Sequence, residues 1–264
     1  MNKIILNTLL ASSLILAAEI DTKKNELITH TEFGYVNTQG NTETTTLSLD
    51  TKISKAFDKH IFDLMFDGQY ATDGNIETKN KYLSELTYDY QFTQKFALNY
   101  MVGFRQDMFS GYEYQSYTGP GIKYKAIKTK EHDLKIEGNL LYSQDKIEDT
   151  NYDATGALIA YPNPNNLSKA STVKGKTRTY SAYRVKAVYA WQILENLKFS
   201  QELSYRSKLE DAENYFVFSK TAFVNKISNI FSAGVNYKID YVNLAAADKE
   251  QTDRTFTANL IIDF

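Results

Sequence analysis

From residue 27 onward, apolar and polar side chains alternate with period two over segments of about 11 residues, the length at which a tilted strand crosses a membrane. In the clearest segment, 95–107, Phe96, Leu98, Tyr100, Val102 and Phe104 share one face, while Asn99, Arg105 and Asp107 share the other. Segment 81–92 sets Tyr82, Leu86, Tyr88, Tyr90 and Phe92 against Glu85, Asp89 and Gln91, and 132–144 sets Leu134, Ile136, Leu140 and Tyr142 against Lys135, Glu137 and Asn139. Strands of globular proteins are usually shorter. The same alternation predicts strands at 27–38, 44–54, 60–71, 116–127, 177–191, 197–207, 215–225, 229–240 and 254–264. In 215–225 two registers compete, because Phe216 and Phe218 oppose Val217 and Phe223 for the apolar side. The fold this predicts is all-β: a transmembrane antiparallel up-and-down β-barrel of about 12 strands, an even number as in bacterial single-chain barrels.

Connector lengths give the barrel a direction. Short turns are expected at 56–59, 93–94, 128–131, 192–196 and 226–228, and longer connections at 72–80, 108–115, 145–176, 208–214 and 241–253. A Gly-Asn hairpin at 39–43 is the exception. Since outer-membrane barrels keep periplasmic turns short and external loops long, both termini are expected in the periplasm. The 145–176 stretch, with Pro162 and Pro164 among Asn, Ser and Lys, reads as a long, mobile external loop, with a small plug the less favoured alternative. Aromatic residues fall at both ends of the strands: Phe92, Phe96, Trp191, Phe199 and Phe264 on the periplasmic side, Tyr70, Tyr82, Phe104, Tyr142 and Tyr205 on the external side. They form the two girdles expected of such a barrel.

Composition changes the picture less than patterning does. A mean hydropathy of -0.44 suits a soluble protein, but in a barrel every second side chain faces a wet lumen, so the average is uninformative. The 20 Tyr and 15 Phe against 3 Pro favour extended strands. A net charge of -2 offers no clustered basic surface for nucleic acid. The absence of Cys excludes disulfides and thiolate chemistry. Lys3, the apolar run 4–16 and then Ala17 and Ala18 have the form of a secretory signal removed near Ala18. The chain thus divides into a signal peptide, 1–18, and an outer-membrane barrel, 19–264. The run is too short for a spanning helix, and no later stretch reaches about 18 apolar residues.

The densest local motif is Arg105-Gln-Asp-Met-Phe-Ser-Gly-Tyr-Glu-Tyr-Gln-Ser-Tyr-Thr-Gly-Pro-Gly121, with Gly111, Tyr112, Tyr114, Gln115, Gly119, Pro120 and Gly121 its distinctive members. With Gly34-Tyr-Val-Asn-Thr-Gln-Gly-Asn-Thr-Glu-Thr-Thr-Thr46, it resembles the YdiY-like family of salt-induced outer-membrane proteins, an uncharacterised domain of unknown function. That resemblance covers nearly all of the mature chain and implies a Gram-negative outer-membrane location but no activity. Physically, Gly111 and the Gly119-Pro120-Gly121 run are expected where a hairpin bends and a strand begins beyond the ladder, because Pro cannot donate within a central strand. The final strand alternates up to Phe264, which resembles the signal read by the barrel-assembly machinery. Expected partners are therefore that machinery, periplasmic chaperones, and outer-membrane lipid with lipopolysaccharide.

No reaction chemistry is evident. His30, His60 and His132 fall on different strands, His60 and His132 with lipid-facing parity, and none is paired with a nucleophile. Metal-ligand spacings and phosphate-binding glycine loops are absent, so no catalytic residue, metal or cofactor is expected. What remains is a lumen wall of mixed charge. Its candidate lining is Glu85, Asp89, Arg105, Asp107, Lys123, Lys135, Glu137, Arg184, Lys186, Glu202 and Arg206, with Asp50, Lys52, Asp63, Asp67, Lys125 and Lys238 on the same faces. Arg105 and Asp107 are placed to pair across the lumen or to hold a loop. The function expected first is a small-solute or ion channel, or an osmotic-stress envelope component. The alternative is a structural or adhesive barrel that displays its loops, and a barrel hydrolase comes third.

Overall fold

The computed structural model describes residues 27–38, 43–163, 165–245 and 250–263. The expected signal peptide, the Gly40-Asn41 turn, Pro164 and the terminal Phe264 lie outside the described residues. The strands are β1 (Leu27–Thr38), β2 (Thr44–Phe57), β3 (His60–Asp73), β4 (Ile76–Gln91), β5 (Phe96–Asp107), β6 (Tyr112–Lys128), β7 (His132–Ile147), β8 (Thr150–Tyr152), β9 (Leu158–Ile159), β10 (Ser171–Val173), β11 (Thr177–Gln192), β12 (Leu197–Lys208), β13 (Tyr215–Lys226), β14 (Phe231–Val242) and β15 (Thr252–Asp263). Twelve of them form a closed antiparallel barrel in the order β1-β15-β14-β13-β12-β11-β7-β6-β5-β4-β3-β2. First and last strands close the ring by pairing His30–Gly34 with Asn259–Asp263, Phe33 opposite Leu260, so along this seam the backbone groups of the wall find partners within it.

Alternation decides which way each strand faces. On β5, Leu98 is 53% exposed while Met101, three residues on and on the other face, is 0% exposed. Leu64, Val102, Ile122, Leu140, Leu203 and Phe256 are likewise exposed on the outside. In water so large an apolar surface would be a liability; against lipid it is what holds the barrel in place. Two chains of ring contacts bound this band. At the short-turn end, Phe92, Phe96 and Tyr124 stack in sequence, and Trp191 packs on His132, while Phe199 packs on Phe223. At the other end Tyr82, Phe104 and Tyr114 form one run and Tyr183, Tyr205, Tyr215 and Tyr241 another.

Two expectations need correction and a third gains detail. The connection read at 72–80 is a two-residue hairpin: Gly74 and Asn75 both take positive φ (53° and 67°), which fits the twist of a tight β-turn, so β3 and β4 continue beyond the apolar band. The Gly119-Pro120-Gly121 run does not precede a strand but sits inside β6, where Pro120 is opposite Tyr100 of β5. Toward β7 the pairing passes from Thr118 to Gly121, skipping the residue that has no N–H to give, and the proline ring is exposed on the outer face. Finally, the long connection expected at 145–176 runs from 148 to 176 and has secondary structure of its own. It carries a three-stranded sheet, β10-β8-β9, whose 153–157 turn is held by the Asp153 carboxylate accepting from the N–H groups of Thr155 (2.8 Å) and Ala157 (2.9 Å). Tyr161 of this insert reaches the barrel rim, donating to Glu77 on β4 at 2.5 Å and packing on Phe109 in the β5–β6 turn.

Candidate functional site

The inward positions of the strands meet in a lumen that the sequence fills with charge. Around it runs one cavity of about 280 Å³, lined from His30 and Ile61 near the short-turn end to Asp240 and Val242 near the opposite rim. Glu85, Asp89, Arg105, Lys123, Lys135, Glu137, Arg184, Lys186, Glu202 and Arg206 all line it. Asp107 stands beside it, accepting from Arg105 at 3.3 Å.

These residues are brought together in three groups. On the arc β4–β7 and β11, Arg184 donates to Glu85 (3.1 Å), to Glu137 and to Asn139 (3.2 Å). Asn139 donates to Asn99 (2.6 Å), Asn99 to Asp89 (2.5 Å), and Lys123 pairs with Asp89 and with Glu137 (3.7 Å). Beside this lattice lies a small buried cluster of Met101, Tyr117, Leu141 and Ala182, and the Tyr117 hydroxyl donates to Glu85 at 2.5 Å. On the facing arc, Lys220 of β13 reaches Asp50 of β2 (2.6 Å) and Glu32 of β1 (3.0 Å), and Lys238 of β14 pairs with Asp67 of β3 and with Asp50 (3.6 Å). Near the rim opposite the short turns the two walls are bolted together. Lys81 of β4 holds Asp240 (2.6 Å) and Asp253 (2.8 Å), and Arg105 of β5 reaches Asp240 (3.3 Å) on β14, the strand on the opposite side of the ring.

Charges removed from bulk water are costly unless paired and hydrogen-bonded, and pairing is the rule here. Every carboxylate that lines the cavity has a basic partner: Asp50 with Lys220, Asp63 with Lys52, Asp67 with Lys238, Glu85 and Glu137 with Arg184, Asp89 with Lys123, Glu202 with Lys186 and Asp240 with Lys81. Arg206 differs. Its guanidinium lies between the rings of Tyr117 (4.7 Å) and Phe216 (4.5 Å), and no described residue accepts a hydrogen bond from it. The register of β13 is settled by the same geometry: Phe216 and Phe218 are inward with Lys220, and Phe223 is outward.

A family model described as "Protein of unknown function, DUF481" matches residues 31–264. The chain belongs to the DUF481 family. No curated protein matches it. Solved structures similar to this DUF481 barrel include the NanC porin (11% identity, TM-score 0.44, covering 90% of this chain and 98% of that one) and the KdgM porin (10%, 0.41, 90% and 98%). The translocator domain of autotransporter NalP from Neisseria meningitidis is another (9%, 0.43, 92% and 89%). At such scores none of them bears on function.

In the DUF481 barrel the distinctive motif is architectural. Gly111 takes a φ of 79° in the β5–β6 turn, Tyr114 stacks on Phe104 and accepts from Gln144 (2.7 Å), and the buried Gln115 donates to Asp145 (3.1 Å). Tyr112 sits opposite Asp107 and Ile147, tying β6 to both neighbours. Gly119 lets β7 approach so closely that a Cβ there would lie 1.9 Å from the Leu140 carbonyl oxygen. The histidines of this barrel serve the wall: His60 and His132 bond to the hydroxyls of Tyr88 (2.7 Å) and Tyr189 (2.8 Å), and His30 lies between Asp263 (2.6 Å) and Glu32 (3.2 Å). Among the described residues no group of His, Asp and Glu is arranged to hold a metal ion. Sequence reasoning missed the lumen roles of Glu32, Lys81, Lys220, Asp240 and Asp253. Parity with Lys238 on β14, and with Phe216 and Phe218 on β13, was the available signal for Asp240 and Lys220.

Proposed function

We propose that the protein is a Gram-negative outer-membrane barrel that passes small ions and solutes through a lumen narrowed by its own ion pairs. The observation that carries this reading is the cavity lined from near one end of the barrel to near the other. A barrel serving only as a pillar is expected to fill its interior with side chains, as the smallest barrels do. Here charged groups line open space, and the bolt of Lys81 and Arg105 on Asp240 and Asp253 constricts it near one rim. The short-turn end, where β1 begins and β15 ends, is periplasmic on this reading, and residues 148–176 are external. The signal peptide delivers the chain to that membrane, the C-terminal strand is offered to the barrel-assembly machinery after periplasmic chaperones, and the external girdle meets lipopolysaccharide. Part of the bolt is open to solvent, Asp253 being 42% exposed, so ionic strength acts on it; this supports a role in salt or osmotic stress.

The test is conductance in planar bilayers. The folded barrel should give discrete steps, and Asp240→Asn, which frees Arg105 from the opposite wall and leaves Lys81 with Asp253 alone, should enlarge them. The ordered 148–176 insert favours a second reading, a barrel that displays this sheet to a partner. If folded wild-type, Asp240→Asn and insert-deleted barrels are all silent at every voltage, the channel reading fails and display replaces it.

A further inference from the structure

We propose that Arg206 anchors a binding subsite within the lumen for a small carboxylate carried on a ring. In a barrel interior where every cavity-lining carboxylate is held by a Lys or Arg, this guanidinium is held by none, although it is only 8% exposed. An unpartnered buried cation is unfavourable unless something offsets its lost hydration. The rings of Tyr117 and Phe216 do so in part, packed on the guanidinium at 4.7 and 4.5 Å. Stacking uses the faces of the planar group and leaves its edge of N–H donors unused. That edge matches a carboxylate in two parallel hydrogen bonds.

The second feature is the lining beside it. Phe216 and Phe218 turn two aromatic side chains into the lumen among its ion pairs, and both line the same cavity as Arg206. Neither is needed for lipid contact, and Lys220, two residues after Phe218, shows that the face is inward. Together they offer an apolar platform next to a charged fork. A ligand with an anionic head and a flat or ring-shaped body satisfies both, whereas a small inorganic anion satisfies only the first. The cavity of about 280 Å³ has room for a molecule of that size. The subsite rests on lumen geometry and not on conduction, so it stands or falls separately from the channel reading.

The experiment is calorimetric titration of the full barrel in detergent, its folding verified by a heat-dependent shift on a gel. Benzoate is the probe, with acetate lacking the ring and benzamide lacking the charge. Benzoate should saturate a single site, and acetate and benzamide should each bind at least about tenfold more weakly. Arg206→Gln should abolish the benzoate signal. Arg206→Lys keeps the charge without the planar fork and should weaken it by about tenfold, which also covers the case in which the Gln variant does not fold. The proposal is overturned if the folded wild type shows no saturable benzoate binding, if either variant binds as tightly as wild type, or if inorganic phosphate and acetate bind as well as benzoate.

Discussion

Lys220 meets Asp50 in the lumen at 2.6 Å, and Lys174 meets Asp149 on the 148–176 insert at the same 2.6 Å. The two pairs share chemistry and distance but not surroundings. The side chains of the first are 12% and 15% exposed, while Lys174 is 81% exposed. Water and salt screen the exposed pair, so it adds little and answers to solution conditions. The lumen pair is screened far less, and removing one member leaves a charge with poor access to water. The barrel therefore uses one interaction for two purposes: a lattice that fixes the shape of the lumen, and a light fastening that orders the sheet outside it.

The sharpest way to test that contrast is to remove cations from the lattice. Arg184→Met strands Glu85 and Glu137, leaving the first with the Tyr117 hydroxyl and the second with Lys123 at 3.7 Å. Urea unfolding in lipid vesicles should show a loss of about 3 to 5 kcal/mol, the cost of breaking a buried pair from one side. Lys220→Met should cost less, about 1 to 3 kcal/mol. Its carboxylates keep other donors: Asp50 retains Lys238, and Glu32 retains Asn236 (3.1 Å) and Asn259 (2.7 Å). Equal losses for the two variants would mean that donor redundancy does not govern this lumen.

A second measurement reads charge instead of stability. Neutralising Glu85 and Asp89 together, as Gln and Asn, leaves Arg184 and Lys123 facing the cavity with less opposing charge. Reversal potentials across a salt gradient should then move toward anion selectivity, because fixed positive charge lowers the local concentration of cations. At about 1 M salt, where screening acts over about 3 Å, the shift should shrink. An unchanged reversal potential would place the conducting path away from this arc.

Much of this frame is legible in the sequence, and the parts that are not have physical reasons. β1 runs over the residues that alternation predicts, because lipid on one face and a wet lumen on the other leave a period-two record. β4 begins at Ile76 and not near 81, because Glu77, Thr78 and Lys79 stand beyond the apolar band and leave no such record. Pro120 was misleading because the rule against central prolines concerns the missing donor, and β6 accommodates its absence by skipping one stretch of pairing with β7. The inward charges were identifiable by parity, but their partners were not. Arg105 with Asp240 and Lys220 with Asp50 join strands that are not neighbours in the ring, and such contacts depend on how the closed wall is shaped in cross-section. For Arg206 the missing clue was the register of β13, which the competing phenylalanines obscured.

The smallest expected effect belongs to the insert, and it completes the contrast. Asp149 is held below the ordinary aspartate range by the hydrogen bond from Lys174 and then by the N–H of Gly175 at 3.0 Å. Asp153 is lowered by the Thr155 hydroxyl and the N–H of Ala157. A carboxyl whose folded value is depressed contributes order above its unfolded value, about 3.9 for aspartate, and that contribution is lost as pH falls through the depressed folded value. Hydrogen exchange of residues 148–176, corrected for intrinsic rates, should therefore show protection at about pH 6 that fades below about pH 4, while the barrel strands stay protected. In the Asp149→Asn, Asp153→Asn double variant the insert should be less protected at about pH 6, with little further loss on acidification. If the strands loosen before the insert does, or the double variant keeps the wild-type pH dependence, exposed carboxylates are not what orders this sheet. The rim contacts of Tyr161 with Glu77 and Phe109 would then be its fastening.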